Sequence, residues 1–382
     1  MKRSSERILT THTGSLPRPE ALVPMLKAKE AGELTDRPGF ERSVKAAVAD
    51  AVRKQVGAGI DIVNDGEMSK VGYSTYVTDR LSGFENAPPS EMLQVADVAD
   101  FPKFMARWAQ DRSVMSLKRP CCTGAISYHG EAELETDFAN LRAALKDVKT
   151  EEAFMTAASP GVVSMFLENR HYPNHQAFIT AVAEAMKPEY EAIARAGFVL
   201  QLDCPDLAMG RHVRYAEKSV AEFRKIAEMH VEAINAATAT IPTDRLRMHL
   251  CWANYHGPHH RDIPLHDIID VILKARPQAI SYVAANPRHE HEFEVFRDVK
   301  LPAGKILIPG VIDSTSNFIE HPELVAMRIC NLARIVGREN VIAGTDCGFG
   351  TFAGSESVDS DIAWRKFEAM AEGARIATKR LW

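Results

Sequence analysis

Short runs rich in Val, Ile and Leu alternate along this chain with longer stretches of helical periodicity, and that alternation limits the fold more than any other feature. A short apolar run bounded by turn residues, followed by a stretch of 3.6-residue period, reads as a strand and its crossover helix. Repeated, the pair builds a parallel sheet covered by helices. The strand-like runs are Ile8–Ser15, Asp61–Glu67, Gly161–Leu167, Phe198–Asp203, Arg245–Cys251, Ala279–Ala284, Ile306–Asp313 and Asn340–Asp346. Helical stretches between and after them include Ala177–Ala196, Ser219–Ala237, Leu265–Ala275, Pro322–Val336 and Ile362–Ala377. Eight strands with intervening helices match a closed (β/α)8 TIM barrel, the expected fold.

Pro120–Ser127 is a ninth strand-like run. It is placed in an insertion after the second barrel strand, about residues 81–127, in which Leu81–Arg119 forms an irregular cover over the substrate. An open doubly wound sheet is the competing architecture, but it usually carries G-x-G-x-x-G after its first strand. Here that position reads Thr13-Gly14-Ser15-Leu16-Pro17. With no internal repeat and no interdomain linker, residues 1–382 are read as one domain.

Composition narrows the function. A chain that is 46% hydrophobic and 25% charged can bury a large core, and a net charge of −5 without a basic stripe argues against nucleic acid as a partner. No apolar segment approaches a signal peptide or a membrane span, so a cytoplasmic protein is expected. Six cysteines in 382 residues are sparse, and in a reducing compartment they are packing residues, metal ligands or nucleophiles.

The apolar pattern breaks at the strand ends. These read Gly14-Ser15, Asp65-Gly66-Glu67, Asp203-Cys204-Pro205, His249-Leu250-Cys251, Asp313-Ser314-Thr315 and Asp346-Cys347-Gly348. Charged and metal-capable groups at six strand ends are costly to bury singly, and one shared site at the C-terminal mouth of a barrel accounts for them together. His249 and Cys251 are alternate residues of one strand, so their side chains share a face about 7 Å apart along it. Cys347 closes the last strand and can meet them across the mouth. An imidazole and two thiolates suit Zn2+, and three protein ligands with an open position describe a catalytic rather than a structural site. A packed histidine beside buried thiols is the plain alternative.

Taken in order, Thr13-Gly14-Ser15-Leu16-Pro17-Arg18, Asp65-Gly66-Glu67, Gln201-Leu202-Asp203, His249-Leu250-Cys251, Pro309-Gly310-Val311-Ile312-Asp313 and Thr345-Asp346-Cys347-Gly348 resemble the C-terminal catalytic barrel of cobalamin-independent methionine synthase and its short single-barrel relatives. The resemblance covers nearly the whole chain. It implies zinc held by His249, Cys251 and Cys347, with a thiol substrate joining the metal. It also implies that Glu67 and Asp203 hold the amino group of homocysteine, and that the Gly14-Ser15 turn contacts its carboxylate. Two converging carboxylates suit an ammonium, and turn N–H groups suit a carboxylate. The expected activity is zinc-dependent S-methyl or S-alkyl transfer from a small methyl or alkyl donor to a small-molecule thiol, as in methionine biosynthesis.

The chain also departs from that family. The fourth zinc ligand of the large enzymes, a glutamate, is matched by Val283; their proton-donor histidine is matched by Thr315; and no tryptophan for stacking folate lies near Ser164-Met165-Phe166. The gaps fall on the methyl donor's side and point away from polyglutamyl folate. Trp252, Asn254, Tyr255, His256, His259 and His260 follow Cys251 in an aromatic, imidazole-rich loop that reads as substrate contact. Trp252 and Asn254 are taken as substrate-binding there, and His256 and Asp313 as the catalytic acid–base candidates. A second metal at His256, His259 and His260 is a further option. An epoxyalkane–coenzyme M transferase-like activity and a catalytically silent zinc-binding homologue are the rival functions. The oligomeric state, a homo-oligomer included, stays open.

Overall fold

The computed structural model of the chain describes residues 1–86, 95–111 and 120–382, without the side chains of 108–111. The expected cover Leu81–Arg119 therefore lies partly outside the described residues. The strands are β1 (Ile62–Val63), β2 (Phe84–Glu85), β3 (Cys121–Cys122), β4 (Glu152–Ala158), β5 (Val199–Asp203), β6 (Leu246–Leu250), β7 (Ala279–Tyr282), β8 (Ile306–Ile312) and β9 (Gly344–Thr345). Seven of them form one curled parallel sheet in the order β1-β4-β5-β6-β7-β8-β9. The N-terminal segment spans its two edges. Thr11 N–H donates to Ala343 O at 2.8 Å, Ala343 N–H to Leu9 O at 2.8 Å, and Ile62 N–H to Thr10 O at 3.0 Å.

Leu9, Ile62, Phe154, Val199, Ala279, Ile306, Ile308 and Ile342 form an apolar cluster of their own, apart from the large core between sheet and helices. Arg247 lies against the Phe154 ring and donates to Thr11 Oγ1 at 3.0 Å and His12 O at 2.8 Å. A sheet packed in this way from within leaves the C-terminal strand ends as the place for polar chemistry.

Helices match the sequence reading where caps are strong. Val220–Ala237 starts at Ser219 with a complete capping box closed by Glu222. His175–Arg195, Pro322–Val336 and Ser360–Leu381 occupy the other long stretches, whereas the expected Leu265–Ala275 helix is two short turns, Leu265–Asp267 and Ile269–Ile272.

One strand was misplaced. Gly161–Leu167, expected as the third strand, lies in the helix Pro160–Phe166, whose Ser159 cap accepts from Val162 N–H and whose first position is Pro160. The strand is β4 instead. Its sequence EAFMTAA is rich in helix formers, but its place between β1 and β5, buried along most of its length, overrides that preference.

Between β1 and β4 the chain leaves the parallel sheet. β2 and β3 pair antiparallel there, Phe84 with Cys122. The helices Ala96–Ala99 and Pro102–Asp111 follow β2. Asp97 accepts hydrogen bonds from Tyr255 OH and from His259 N–H, the latter at 2.8 Å. Asp100 pairs with His260 at 2.8 Å and Arg261 at 2.7 Å. This excursion is thus fastened to the loop after β6. Among the described residues no helix is long and apolar enough to cross a membrane.

Candidate metal centre and substrate pocket

Parallel register sets the site. Asp203, the last residue of β5, pairs with His249 of β6, and His249 pairs with Ser281 of β7. Cys251 follows directly, and Cys347 follows β9. The ligand atoms of His249, Cys251 and Cys347 all lie within 4.8 Å of one another, and all three residues are buried. Cys347 Sγ is 3.0 Å from Cys251 Sγ and 3.5 Å from His249 Nε2. The two cysteines are not disulfide-bonded.

The surroundings orient each donor. His249 Nδ1 meets Ser281 Oγ at 3.1 Å, which leaves Nε2 facing the sulfurs. Cys347 N–H donates to Ser314 Oγ at 3.1 Å, and Ser314 Oγ–H donates to Asn254 Oδ1 at 2.9 Å. Asn254 Nδ2 reaches Gly348 O at 2.8 Å and Thr351 Oγ1 at 2.7 Å. Asn254 therefore ties together the loops after β6, β8 and β9. A hydrogen bond from Cys347, with His249 nearby, draws the Cys251 thiol down to about 5, despite burial. Burial and the Cys251 thiolate push Cys347 well above the usual thiol range. In the metal-free chain the pair thus holds one thiolate and one thiol. Two sulfurs and a ring nitrogen at this spacing fit a tetrahedral Zn2+ with one position left for another ligand. Nothing described places a carboxylate in Val283's stead; that side chain is buried and apolar.

Glu67 and Asp203 are both buried. Glu67 Oε1 accepts from Thr156 Oγ1 at 2.9 Å, while Oε2 has no hydrogen-bond partner and lies 4.0 Å from the Arg18 guanidinium. Asp203 Oδ1 accepts from Gln201 Nε2 at 2.8 Å. Burial, then the Glu67 charge, raises the Asp203 carboxyl well above its ordinary range. The two buried carboxylates crowd one another, and Lys70 and Arg247 offset that in part for Asp203. The Gly14 and Ser15 N–H groups donate to no described residue. Gly14 has φ +141°, and a Cβ there would lie 2.6 Å from Thr156 Cγ2 and 2.9 Å from Glu67 Oε1, so the turn needs glycine.

Other expected residues are placed differently. Trp252 is fully buried, donates its indole N–H to Ile263 O at 2.7 Å and packs on the His289 ring, so it supports the loop. Asp313 Oδ1 accepts from Thr315 N–H and Oγ1–H at 2.9 and 2.8 Å, a local turn cap. His256 is exposed and makes no hydrogen bond among the described residues. His256, His259 and His260 do not form a cluster: His260 pairs with Asp100, and His259 turns inward to Asp262. Cys204 is buried and contacts Leu202 O, a packing role.

Sequence reasoning missed Tyr73, whose phenol is raised by burial and by the nearby Cys251, Asp203 and Cys347. Its ring meets Phe166 and Phe352. Only the run Val71-Gly72-Tyr73, just past the second strand end, could have signalled it.

Residues 90–363 match the family model described as cobalamin-independent synthase, catalytic domain. The chain is 24% identical over 375 residues to a methionine synthase of Pyrococcus furiosus, covering 97% of this chain and 93% of that one. It is 26% identical over 377 residues to a methionine synthase of Thermococcus kodakarensis, covering 97% and 94%. In fold it is similar to a B12-independent methionine synthase from Shewanella sp. W3-18-1 in complex with selenomethionine, with TM-score 0.74, 18% identity and coverage of 98% and 99%. A putative vitamin-B12 independent methionine synthase from Listeria monocytogenes aligns with TM-score 0.66 at 18% identity over 98% and 99%.

Proposed function

The chain belongs to the cobalamin-independent synthase catalytic-domain family, and from that premise we propose that it is a zinc-dependent S-methyltransferase acting on homocysteine or a close amino thiol. The fold is read as a (β/α)8 barrel in which Leu9–Thr11 is the eighth strand and residues 81–127 are an insertion over the mouth. One observation carries the reading. The His249–Cys251–Cys347 donor set stands beside two buried carboxylates, through the Asp203–His249 register pair.

His249 Nε2, Cys251 Sγ and Cys347 Sγ would hold the metal. When bound, zinc supplies Lewis acidity that keeps a substrate thiol deprotonated at neutral pH. Glu67 and Asp203 hold the substrate ammonium, and its arrival favours the charged form of Asp203. The Gly14 and Ser15 N–H groups receive the α-carboxylate. Together these contacts aim the sulfur at the metal centre and leave its far side to the donor. His256 at the rim and Asp313 at the end of β8 are the acid–base residues assigned on this reading. The family's folate-side residues lack counterparts at Thr315 and near Ser164-Met165-Phe166, which speaks against polyglutamyl folate as the methyl donor.

The coenzyme M alternative fares worse. Of the residues suited to its sulfonate, His260 and Arg261 are paired with Asp100 and His259 with Asp262, which leaves only His256. X-ray absorption at the zinc edge discriminates the two. Homocysteine is expected to add one sulfur to the metal shell and coenzyme M none. Full activity of Cys251→Ala after chelation would overturn the proposal.

A further inference from the structure

We propose that His212, His259, Asp262 and His289 form a second metal site, for a divalent transition ion of the zinc or ferrous type. The ligand atoms of His259, Asp262 and His289 lie within 4.8 Å of one another, and all three residues are buried. This set shares no residue with His249, Cys251 and Cys347.

The ring tautomers carry the argument. His259 Nε2 lies 3.0 Å from Tyr255 O, which can only accept, so Nε2 bears the proton. Its Nδ1 then faces Asp262 Oδ2 at 2.8 Å. His289 Nδ1 donates to Glu292 Oε2 at 2.8 Å, and its Nε2 faces the same Asp262 Oδ2 at 2.9 Å. In their neutral forms both rings thus aim a lone pair at a carboxylate oxygen. Two extra protons or one divalent cation would resolve that clash. Metal-bound histidines show the same pattern, with the far ring nitrogen held by a carboxylate or a backbone carbonyl.

His212 favours the cation. It is 1% exposed, its Nδ1 lies 3.2 Å from Asp262 Oδ1, and neither of its ring nitrogens has a hydrogen-bond partner. Asp262 Oδ1 is likewise without one. A third imidazole beside an already crowded carboxylate adds no needed proton, but it adds a donor. Imidazoles with one carboxylate suit Zn2+ or Fe2+. The ion would pin the loop after Cys251, where Asp97 also docks through Tyr255 and His259.

Protein purified anaerobically and loaded with Zn2+ or Fe2+ separately, then desalted, tests this by elemental analysis. The wild type is expected to hold about two ions per chain with at least one of the metals, and the Cys251→Ser/Cys347→Ser double variant about one. Asp262→Asn and the milder His212→Gln should lower the content of the double variant to near zero or weaken its affinity at least tenfold. Co2+ bound by the double variant should lack sulfur-to-metal charge-transfer absorption. A double variant that is folded by circular dichroism and binds neither metal overturns the proposal. If only the thiolate centre were misread, wild type and double variant would each hold one ion, still lost in Asp262→Asn.

Discussion

Gly310 faces Asp346 so closely that a Cβ on the glycine would fall inside the carboxylate. Asp346 uses that space to receive Ala284 N–H at 2.8 Å, Ala285 N–H at 2.7 Å and Asn286 N–H at 2.9 Å. It thereby holds the turn after β7 beside Cys347. Gly310→Ala must displace the carboxylate and break some of those bonds. A loss of roughly 3 kcal/mol is expected in urea unfolding, together with lower metal content. An unchanged unfolding midpoint would refute the close contact.

Ser281→Ala removes the partner of His249 Nδ1 and frees the ring to turn. Zinc affinity should fall roughly tenfold or more in competition with a chelator. Affinity of the wild type should also climb with pH, because Cys347 keeps its proton at neutral pH and must release it on binding. A pH-independent affinity between pH 6 and 8 would contradict the thiol–thiolate assignment.

Glu67→Gln keeps the hydrogen bond from Thr156 but removes the charge. The KM for homocysteine should rise roughly 10- to 100-fold with zinc content unchanged. Asp203→Asn should act the same way. A variant that lost zinc instead would place these carboxylates in the metal shell rather than on the ammonium.

His12 is buried against Phe154 and Phe367, meets Gln55 Oε1 at 2.8 Å, and is lowered by burial to about 3. The native chain keeps it neutral where the unfolded chain protonates it near 6.5. Its stability contribution is therefore complete above that value and lost as pH falls from 6.5 toward 3. His12→Phe should flatten the loss of stability between pH 6 and 4, measured by denaturant midpoints. A parallel decline in both proteins would assign the acid sensitivity elsewhere.

Asp97 Oδ2 accepts from both Tyr255 OH and His259 N–H, while Oδ1 accepts from Val98 N–H at 2.9 Å. Asp97→Asn therefore leaves one acceptor oxygen for three donors and removes the charge that strengthens them. Amide exchange in residues 254–262 should quicken by about tenfold or more, equivalent to 1.4 kcal/mol of local opening. Unaltered protection would mean that the excursion is not what holds this loop.

Much of this site was legible because strands impose a period of two. His249 and Cys251 share a face by arithmetic, and strand ends converge whenever a parallel sheet curls. Glu67, Asp203 and Gly14 stood out as polar or glycine breaks at the ends of apolar runs, but their roles were implied by the family resemblance rather than by that period. β4 escaped because its residues favour helix and only burial makes it a strand. The inward turn of Trp252 was not legible, because an aromatic ring in a polar loop reads the same whichever way it faces; its acceptor, Ile263 O, is backbone and leaves no trace in composition. Likewise, His212, His259, Asp262 and His289 meet only because three separate segments fold onto one carboxylate.

Cys251 and Cys347 stand 96 residues apart in the chain. Beyond Cys347's strand lies the seam where the last strand meets Leu9–Thr11, stitched by a handful of backbone bonds. An ion gripped by both sulfurs would act as a removable rivet across that span, restricting the denatured chain much as a covalent bridge does. The atoms that prepare a reactant would then also fasten β6 to β9, and a cell short of metal would hold this protein with less stability as well as without its chemistry.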